Sequence, residues 1–393
     1  VSEAAHRRKR FVAWRDTEEK LDDPVLEDLI QGGDPSDIVP PSEKGRVVIL
    51  TSGTTGTPKG ANRSQPETLD PAAALLSKIP MKARETAMIA APLFHSWGLL
   101  HFAAIALPTA STMVLRRRFD PEETLAAVER TRADVLAVVP VMIQRILGLP
   151  DDVLGRYSLS SLKIASLSGS ALPGELATLW MDRFGDNIYN LYGSTEVAFA
   201  TIATPTDLRA APGTAGRPPR GTVVRLLDEA GKEVPGGEVG RIFVGNEMKM
   251  EGYTGGGNKE AIDGLLSSGD VGHFDSDGRL FVDGRDDEMI VSGGENVFPR
   301  EVEDLLADLD GVVEVAVIGV EDDKFGQRLK AFIVLGEGVS LSETEVGAHV
   351  KANLASYKTP REVEFLAELP RNATGKVLKR ELLEREANAR PSQ

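Results

Sequence analysis

Val47-Val48-Ile49-Leu50-Thr51-Ser52-Gly53-Thr54-Thr55-Gly56-Thr57-Pro58-Lys59-Gly60 sets four aliphatic side chains directly against a run of glycine, threonine and serine that closes on a proline and a lysine. The first half reads as a buried strand and the second as the loop it runs into. Glycines let backbone amides turn toward an anion, the hydroxyls add donors and Lys59 adds a cation, so polyphosphate is the natural ligand. The spacing lacks G-x-x-x-x-G-K-[ST], which disfavours a standard P-loop phosphoryl transferase. A plain turn after a strand is the bland alternative.

Similar aliphatic runs recur at Ala87–Ala91, Thr112–Leu115, Val135–Val139 and Lys163–Leu167, separated by helical patterns at Pro121–Arg132 and Gly174–Arg183. This alternation predicts a mainly parallel α/β sheet. From about Gly213 the texture changes to short strands (Val223–Leu227, Arg241–Val244, Arg279–Val282) broken by Gly, Pro and Asp turns, which predicts a small β-barrel or sandwich-like subdomain. Beyond Arg285, helical Pro299–Leu306 and Glu343–Leu354 with strands at Val315–Val320, Leu329–Leu335 and Val363–Leu366 make a compact α+β unit. The expected organisation is therefore a large domain over residues 1–286 and a small, mobile α+β C-terminal domain over 287–393.

The 393 residues carry a net charge of -15, so the overall field repels polyanions and nucleic acid is excluded as a partner. The basic runs Arg7–Arg10 and Arg116–Arg118 are short and read as solvated faces. With no Cys, disulfides and thiol catalysis are ruled out. No apolar run approaches the roughly 18 to 20 residues that span a bilayer, and the charged first thirty residues hold no signal-peptide hydrophobic region. A cytoplasmic setting is the default, with membrane contact at most peripheral.

Further motifs follow in chain order: Pro92-Leu93-Phe94-His95, Ser168-Gly169-Ser170-Ala171-Leu172, Tyr192-Gly193-Ser194-Thr195-Glu196, Gly269-Asp270, Gly284-Arg285, Ser292-Gly293-Gly294-Glu295-Asn296-Val297 and Pro370-Arg371-Asn372-Ala373-Thr374-Gly375-Lys376. Together with the glycine-rich loop they resemble the adenylate-forming, AMP-binding acyl-CoA synthetase family, a group that also includes luciferases and peptide-synthetase adenylation domains. The resemblance runs from about Gly45 to Glu384. About fifty residues precede the glycine loop, where family members carry a substantial N-terminal stretch. That difference fits a fragment, a displaced start or a degenerate member. Val1–Ser42 is charged and reads as loosely structured.

The resemblance implies ATP, Mg²⁺ and coenzyme A as cosubstrates and cofactor. It places Thr51, Ser52, Gly53, Thr54, Thr55, Gly56 and Lys59 on the phosphates. Gly169, Ser170, Ala171, Asn190, Leu191, Tyr192, Gly193 and Ser194 fall around the base and the acyl carbonyl, with Asp270 and Arg285 at the ribose. A tyrosine ring can stack on adenine, Thr195 can donate to the α-phosphate, and Glu196, with Thr51, supplies the hard oxygen that Mg²⁺ prefers. Taken alone, these would read as a core tyrosine, a helix cap and a turn aspartate. By the same resemblance Lys376, Glu196, Thr195 and His95 are the catalytic residues, and Lys376 would stabilise the charge of the pentacoordinate phosphorus and the leaving pyrophosphate. Asp287 matches the hinge about which the small domain withdraws Lys376 and presents Gly293, Gly294 and Glu295 to the pantetheine path.

His95 stands where amino-acid-activating relatives usually place an Asp, and an imidazole supplies no fixed negative charge, so an amino acid substrate is disfavoured. Trp97, Leu99, Leu100, Phe102, Val139, Pro140 and Met142 are candidates for an apolar acyl pocket beside His95, or simply core. The expected function is an ATP-dependent acid–thiol ligase for a medium- or long-chain fatty acid. An aryl or other hydrophobic acid is the second choice. The acceptor reads as CoA, although a carrier-protein pantetheine would use the same tunnel, and a homodimer is compatible. Two rivals are a luciferase-like or carrier-loading adenylate former and a catalytically idle nucleotide-binding protein.

Overall fold

The computed structural model describes residues 25, 28, 31–33, 47–51, 59–63, 68–99, 104–292, 295–322, 326–372 and 375–389, without the side chains of 47, 50, 51, 59, 104, 287, 296 and 389. The chain divides into two units, Val1–Gly45 and Arg46–Gln393, and the fold below is that of the second. The reading of Val1–Ser42 as loose lies outside the described residues but for the few named.

Five aliphatic segments form the parallel part of a six-stranded sheet: β3 (Thr86–Ile89), β4 (Thr112–Leu115), β5 (Val135–Val138), β6 (Ile164–Leu167) and β7 (Ile188–Tyr192), closed by antiparallel β8 (Thr201–Ala203). The order is β4-β3-β5-β6-β7-β8. Every residue of β5 and β6 is buried, as expected for strands covered on both faces. Helices α1 (Pro121–Thr131), α2 (Pro140–Leu147) and α3 (Gly174–Phe184) connect these strands. Helix α1 starts where Asp120 accepts a bond from Glu123 N ahead of Pro121, and stops at Arg132 in the left-handed region. Trp180 and Ile143 fill the core beneath the sheet, and the buried Trp180 indole donates to Asn187 Oδ1 at 2.9 Å.

The chain leaves β3 to one side for β4 and returns to the other for β5, so the strand order reverses there. Ligands of open α/β sheets bind outside the carboxyl ends of strands at such a switch. The segments that leave β3, β5 and β6 there carry His95, Pro140 and Gly169.

Strand β1 (Val47–Thr51) exists but does not join the parallel sheet. It pairs antiparallel with β2 (Lys59–Arg63), Thr51 opposite Lys59, and β11 (Gly252–Tyr253) completes a three-stranded sheet. The seven residues that separate β1 from β2 in sequence are too few for the crossover that a parallel pairing requires. Val48 is accordingly 48% exposed while Ile49 is buried.

Strands β9 (Val223–Leu227), β10 (Gly240–Gly245), β12 (Ala261–Ile262), β13 (Leu265–Phe274) and β14 (Leu280–Arg285) form an antiparallel sheet around Ile242, Val244, Leu266 and Leu280. A 3₁₀ turn at Asp286–Glu288 leads out of it. Beyond lie β15 (Ile290–Ser292), β16 (Glu295–Val297), α4 (Pro299–Ala307), β17 (Val312–Asp322), β18 (Gly326–Leu335), α5 (Glu343–Asn353), β19 (Glu362–Leu366) and α6 (Lys379–Ala389). The sheet order here is β16-β15-β18-β17 with β19 parallel to β18. Ser342 and Glu345 form a capping box at α5. The expected α/β, β-sheet and α+β succession thus holds.

Candidate active site

A cavity of about 1430 Å³ opens at the carboxyl ends of the parallel strands. Its lining includes His95, Trp97 and Pro140, the Ser168–Ala171 segment, Asn190 through Glu196, Asp270, Arg285 and Lys376. Residues from the first and last thirds of the chain thus face one space.

At one end β7 delivers Asn190, Leu191 and Tyr192. The Asn190 Oδ1 is buried without a hydrogen-bond partner, an acceptor suited to an exocyclic amine. Tyr192 donates its hydroxyl to Asp270 Oδ2 at 2.5 Å and approaches Ser268 Oγ at 3.2 Å. Burial first, then the neighbouring Asp270 carboxylate, pushes the Tyr192 phenol well above its ordinary value. Arg285 Nη1 lies 3.3 Å from Asp270 Oδ1, the two residues being opposite one another in the β13–β14 ladder. Burial raises the Asp270 carboxyl despite the opposing pull of Arg285, Tyr192 and Lys376. Asp270 and Lys376 both line the cavity.

Gly193 answers to its own turn. A Cβ there would lie 2.0 Å from Ala198 O, because the chain doubles back so that Ala200 N donates to Tyr192 O at 2.8 Å. Ser194 Oγ accepts from Glu196 N (3.2 Å) and Val197 N (3.3 Å), holding the turn that presents Thr195 and Glu196.

Two residues of this end have no counterpart in the motifs. Tyr253, on β11, donates its hydroxyl to Glu196 Oε1 at 3.0 Å. Arg63, on β2 and 3% exposed, donates to Thr195 O, while its Nε finds no partner. Burial, against the pull of Glu196, lowers Arg63 to about 10. A charged residue in the strand after a glycine loop was the available signal for Arg63, and the Gly252-Tyr253 pair before a glycine turn the signal for Tyr253.

The other wall is apolar. Trp97 is buried and its indole donates to Val138 O at 2.9 Å, so it forms wall and offers no free polar group. His95 Nδ1 stands 3.4 Å from Trp97 N as acceptor, and burial lowers its basicity, which leaves the imidazole neutral at pH 7. Phe94, Leu99, Pro140 and Val141 continue the lining. Val139 does not line it and packs in the core beside Gly169.

Lys376 arrives on a hairpin. Asn372 N donates to Lys376 O (3.0 Å), Lys376 N donates to Asn372 Oδ1 (2.9 Å), and Arg371 pairs with Val377. Arg371 Nη1 donates to Gly375 O at 2.6 Å and Nη2 lies 3.1 Å from Glu314. Gly375, at φ 84°, sits where a Cβ would come within 2.7 Å of Val141, so the hairpin lies against α2. Gln144 Nε2 donating to Val313 O at 2.6 Å adds a second tie between α2 and the C-terminal sheet.

Ser52, Gly53, Thr54, Thr55 and Gly56 of the glycine loop, Gly293 and Gly294, and Leu100 and Phe102 lie outside the described residues. So do the side chains of Thr51, Lys59 and Asp287. Glu295 pairs with Ser292 in the β15–β16 hairpin and does not line the cavity. Among the described residues no group of three or more His, Asp and Glu could hold a metal by itself. One carboxylate oxygen of Glu196 is taken by Tyr253 and the group faces the cavity, which fits an ion that phosphates carry in and a single carboxylate completes.

A nucleotide-sized cleft at a strand-order switch, with a lysine returned to it from a separate C-terminal α+β sheet, defines the adenylate-forming class, whose CoA ligases use ATP, Mg²⁺ and CoA. The chain belongs to the AMP-binding enzyme family: residues 4–254 match the AMP-binding enzyme model and residues 301–376 the AMP-binding enzyme C-terminal domain. It is 36% identical to an indoleacetate–CoA ligase of Aromatoleum aromaticum (85% of this chain, 66% of the relative). Identity is 37% to a feruloyl-CoA synthase of an Amycolatopsis species (86% and 69%), and 33% to a long-chain-fatty-acid–CoA ligase of Bacillus subtilis (86% and 61%). The chain spans about two thirds of the length of these relatives. ATP-bound MatB from Rhodopseudomonas palustris superposes with a TM-score of 0.79 at 30% identity, over 86% of this chain and 67% of that one.

Proposed function

We propose that the chain is an ATP-dependent, AMP-forming acid–CoA ligase acting on an apolar carboxylic acid. The observation that carries the reading is the convergence of Lys376 with Thr195, Glu196, Asp270 and Arg285 on one cavity. The acid carboxylate attacks the α-phosphorus as the bond to pyrophosphate breaks, and a CoA thiol then displaces AMP from the acyl carbonyl. Lys376 stabilises the charge that develops in the first step, and Thr195 donates to the phosphate. Asn190 accepts from the base, while Asp270, held by Tyr192 and Arg285, accepts from the ribose. Tyr253 and the Ser194 turn hold Glu196 in place. Mg²⁺, when bound at Glu196, neutralises leaving-group charge.

The domain boundary belongs at Asp286–Glu288, with Asp287 as pivot between the large part and the Lys376-bearing part. Glu295, away from the cavity here, would come to the thiol path in the second arrangement.

A medium- or long-chain fatty acid is the first candidate, supported by the neutral His95 and by Trp97, whose only wall-facing polar group is spent on Val138. An aryl-substituted acid is the second reading, favoured by the relatives named for indoleacetate and ferulate. Pyrophosphate release, measured with ATP and Mg²⁺ across straight-chain acids of increasing length and across aryl acids, tests both. The fatty-acid reading expects turnover to rise with chain length. A maximum on aryl acids transfers the assignment to the second reading, and no release from any acid overturns the ligase. Release without thioester when CoA is added moves the acceptor to a carrier-protein pantetheine.

A further inference from the structure

We propose that Lys379 is a positioning residue that makes the Lys376 hairpin turn together with the Asp287 pivot, by tying the hairpin's exit to Glu288 and Glu303. The inference rests on the ligase reading for its kinetic consequences and on geometry for its mechanical one.

The hairpin that carries Lys376 ends where Leu378 N donates to Pro370 O at 2.8 Å, and the next residue, Lys379, opens α6. Lys379 Nζ lies 2.8 Å from Glu303 Oε1 on α4 and 3.0 Å from Glu288 Oε2 at the end of the 3₁₀ turn. All three side chains are partly buried, at 21%, 18% and 31% exposure for Lys379, Glu303 and Glu288. Glu303 Oε1 also accepts from Val317 N at 2.7 Å, so it is fixed to β17. On the other side of the pivot, Asp286 Oδ2 lies 3.1 Å from Arg241 Nε on β10, and Arg241 also pairs with Glu260. Asp287 is thus the single residue between a neighbour anchored to the antiparallel sheet and a neighbour anchored to α6. A torsion change there carries Glu288, Lys379 and the hairpin as one lever.

Helix α6 has anchors besides Lys379. Leu382 is buried, and Lys330 Nζ holds Glu386 at 2.6 Å further along α6. Removing the Lys379 ammonium would leave Glu288 and Glu303 facing each other without a counter-charge, next to the hairpin exit. Glu288, directly after Asp287, is the residue through which the pivot reaches the lysine.

The test uses the whole chain with Lys379→Met, Lys379→Arg and Glu288→Gln. Hydrogen exchange is read on the amides of Lys376 and Leu378 and, as control, on those of α6. The expected result is faster exchange in the hairpin for Lys379→Met and Glu288→Gln, an unchanged α6, and recovery in Lys379→Arg. Carboxylate-dependent exchange of pyrophosphate into ATP should fall about 10- to 100-fold in Lys379→Met through kcat, with the KM for ATP nearly unchanged. Thioester formation from supplied acyl adenylate should fall less than exchange does. Unchanged hairpin protection in Lys379→Met overturns the proposal, as does equal loosening of hairpin and helix. A parent chain without pyrophosphate exchange for any acid defeats the ligase reading alone, since the protection pattern is read without turnover.

Discussion

Asp270 and Lys376 face the same cavity from opposite kinds of support. Asp270 is 9% exposed on a ten-residue strand, bonded by Tyr192 and Arg285 and backed by Ser268, whose Oγ accepts from Asp270 N at 3.1 Å. Lys376 is exposed near the tip of a hairpin held by a few backbone bonds and the Arg371 fork. In the proposed reaction Asp270 binds the same sugar throughout, and its burial cost is offset by fixed partners in the sheet. Lys376, which that proposal gives to a single half-reaction, sits instead on an exposed hairpin.

The largest effect that would break this contrast is expected from Lys376→Ala. Carboxylate-dependent pyrophosphate exchange should fall by about 10³-fold or more, with the KM for ATP little changed and thioester formation from supplied adenylate retained. A parallel collapse of ATP binding would mean that the two ends are not separable. Asp270→Asn should do the reverse, raising the KM for ATP about 10- to 100-fold while kcat changes less. Because burial raises the Asp270 carboxyl, its charge is lost at a higher pH than that of an ordinary carboxylate. The KM for ATP in the parent should therefore climb as pH falls, and the Asn variant should lose that dependence.

The smallest effect concerns a carboxyl pair elsewhere in the cavity lining, Glu175 and Asp308. Burial, then hydrogen bonding with Asp308, raises the exposed Glu175 carboxyl. A carboxylate whose folded value exceeds its unfolded one costs stability once pH passes the unfolded value. Glu175→Gln should raise Tm by about 1–2 °C at pH 7, discounted for exposure, and give nothing below about pH 4, where both states are protonated. A gain that persists at acid pH would place its origin elsewhere.

Periodicity located β3 to β6, α1 and α3, because β5 is apolar throughout, β6 is broken only by the buried Ser166 and α1 carries its own caps, whereas β7, β8 and α2 were not among the expected elements. It could not place β1, since an aliphatic run reads alike in a parallel and an antiparallel neighbourhood and only the hairpin at Thr51 and Lys59 decides. Motif matching found Tyr192, Asp270, Arg285 and Lys376, which the structure brings to one cavity. It gave Gly193 a ligand-facing reason, whereas its neighbour Ala198 supplies the steric one. Arg63, Tyr253 and Lys379 escaped because they act on other side chains or on backbone; local cues marked the first two, but the distant partners that give them a role leave no spacing to read.

Arg63 extends from the strand that follows the glycine-rich turn to the carbonyl of Thr195. Two stretches 132 positions apart are thereby fastened by one guanidinium sealed from solvent. Loosening of either stretch would therefore disturb the other, so in the proposed reaction the Thr195 turn and β2 should lose their order together.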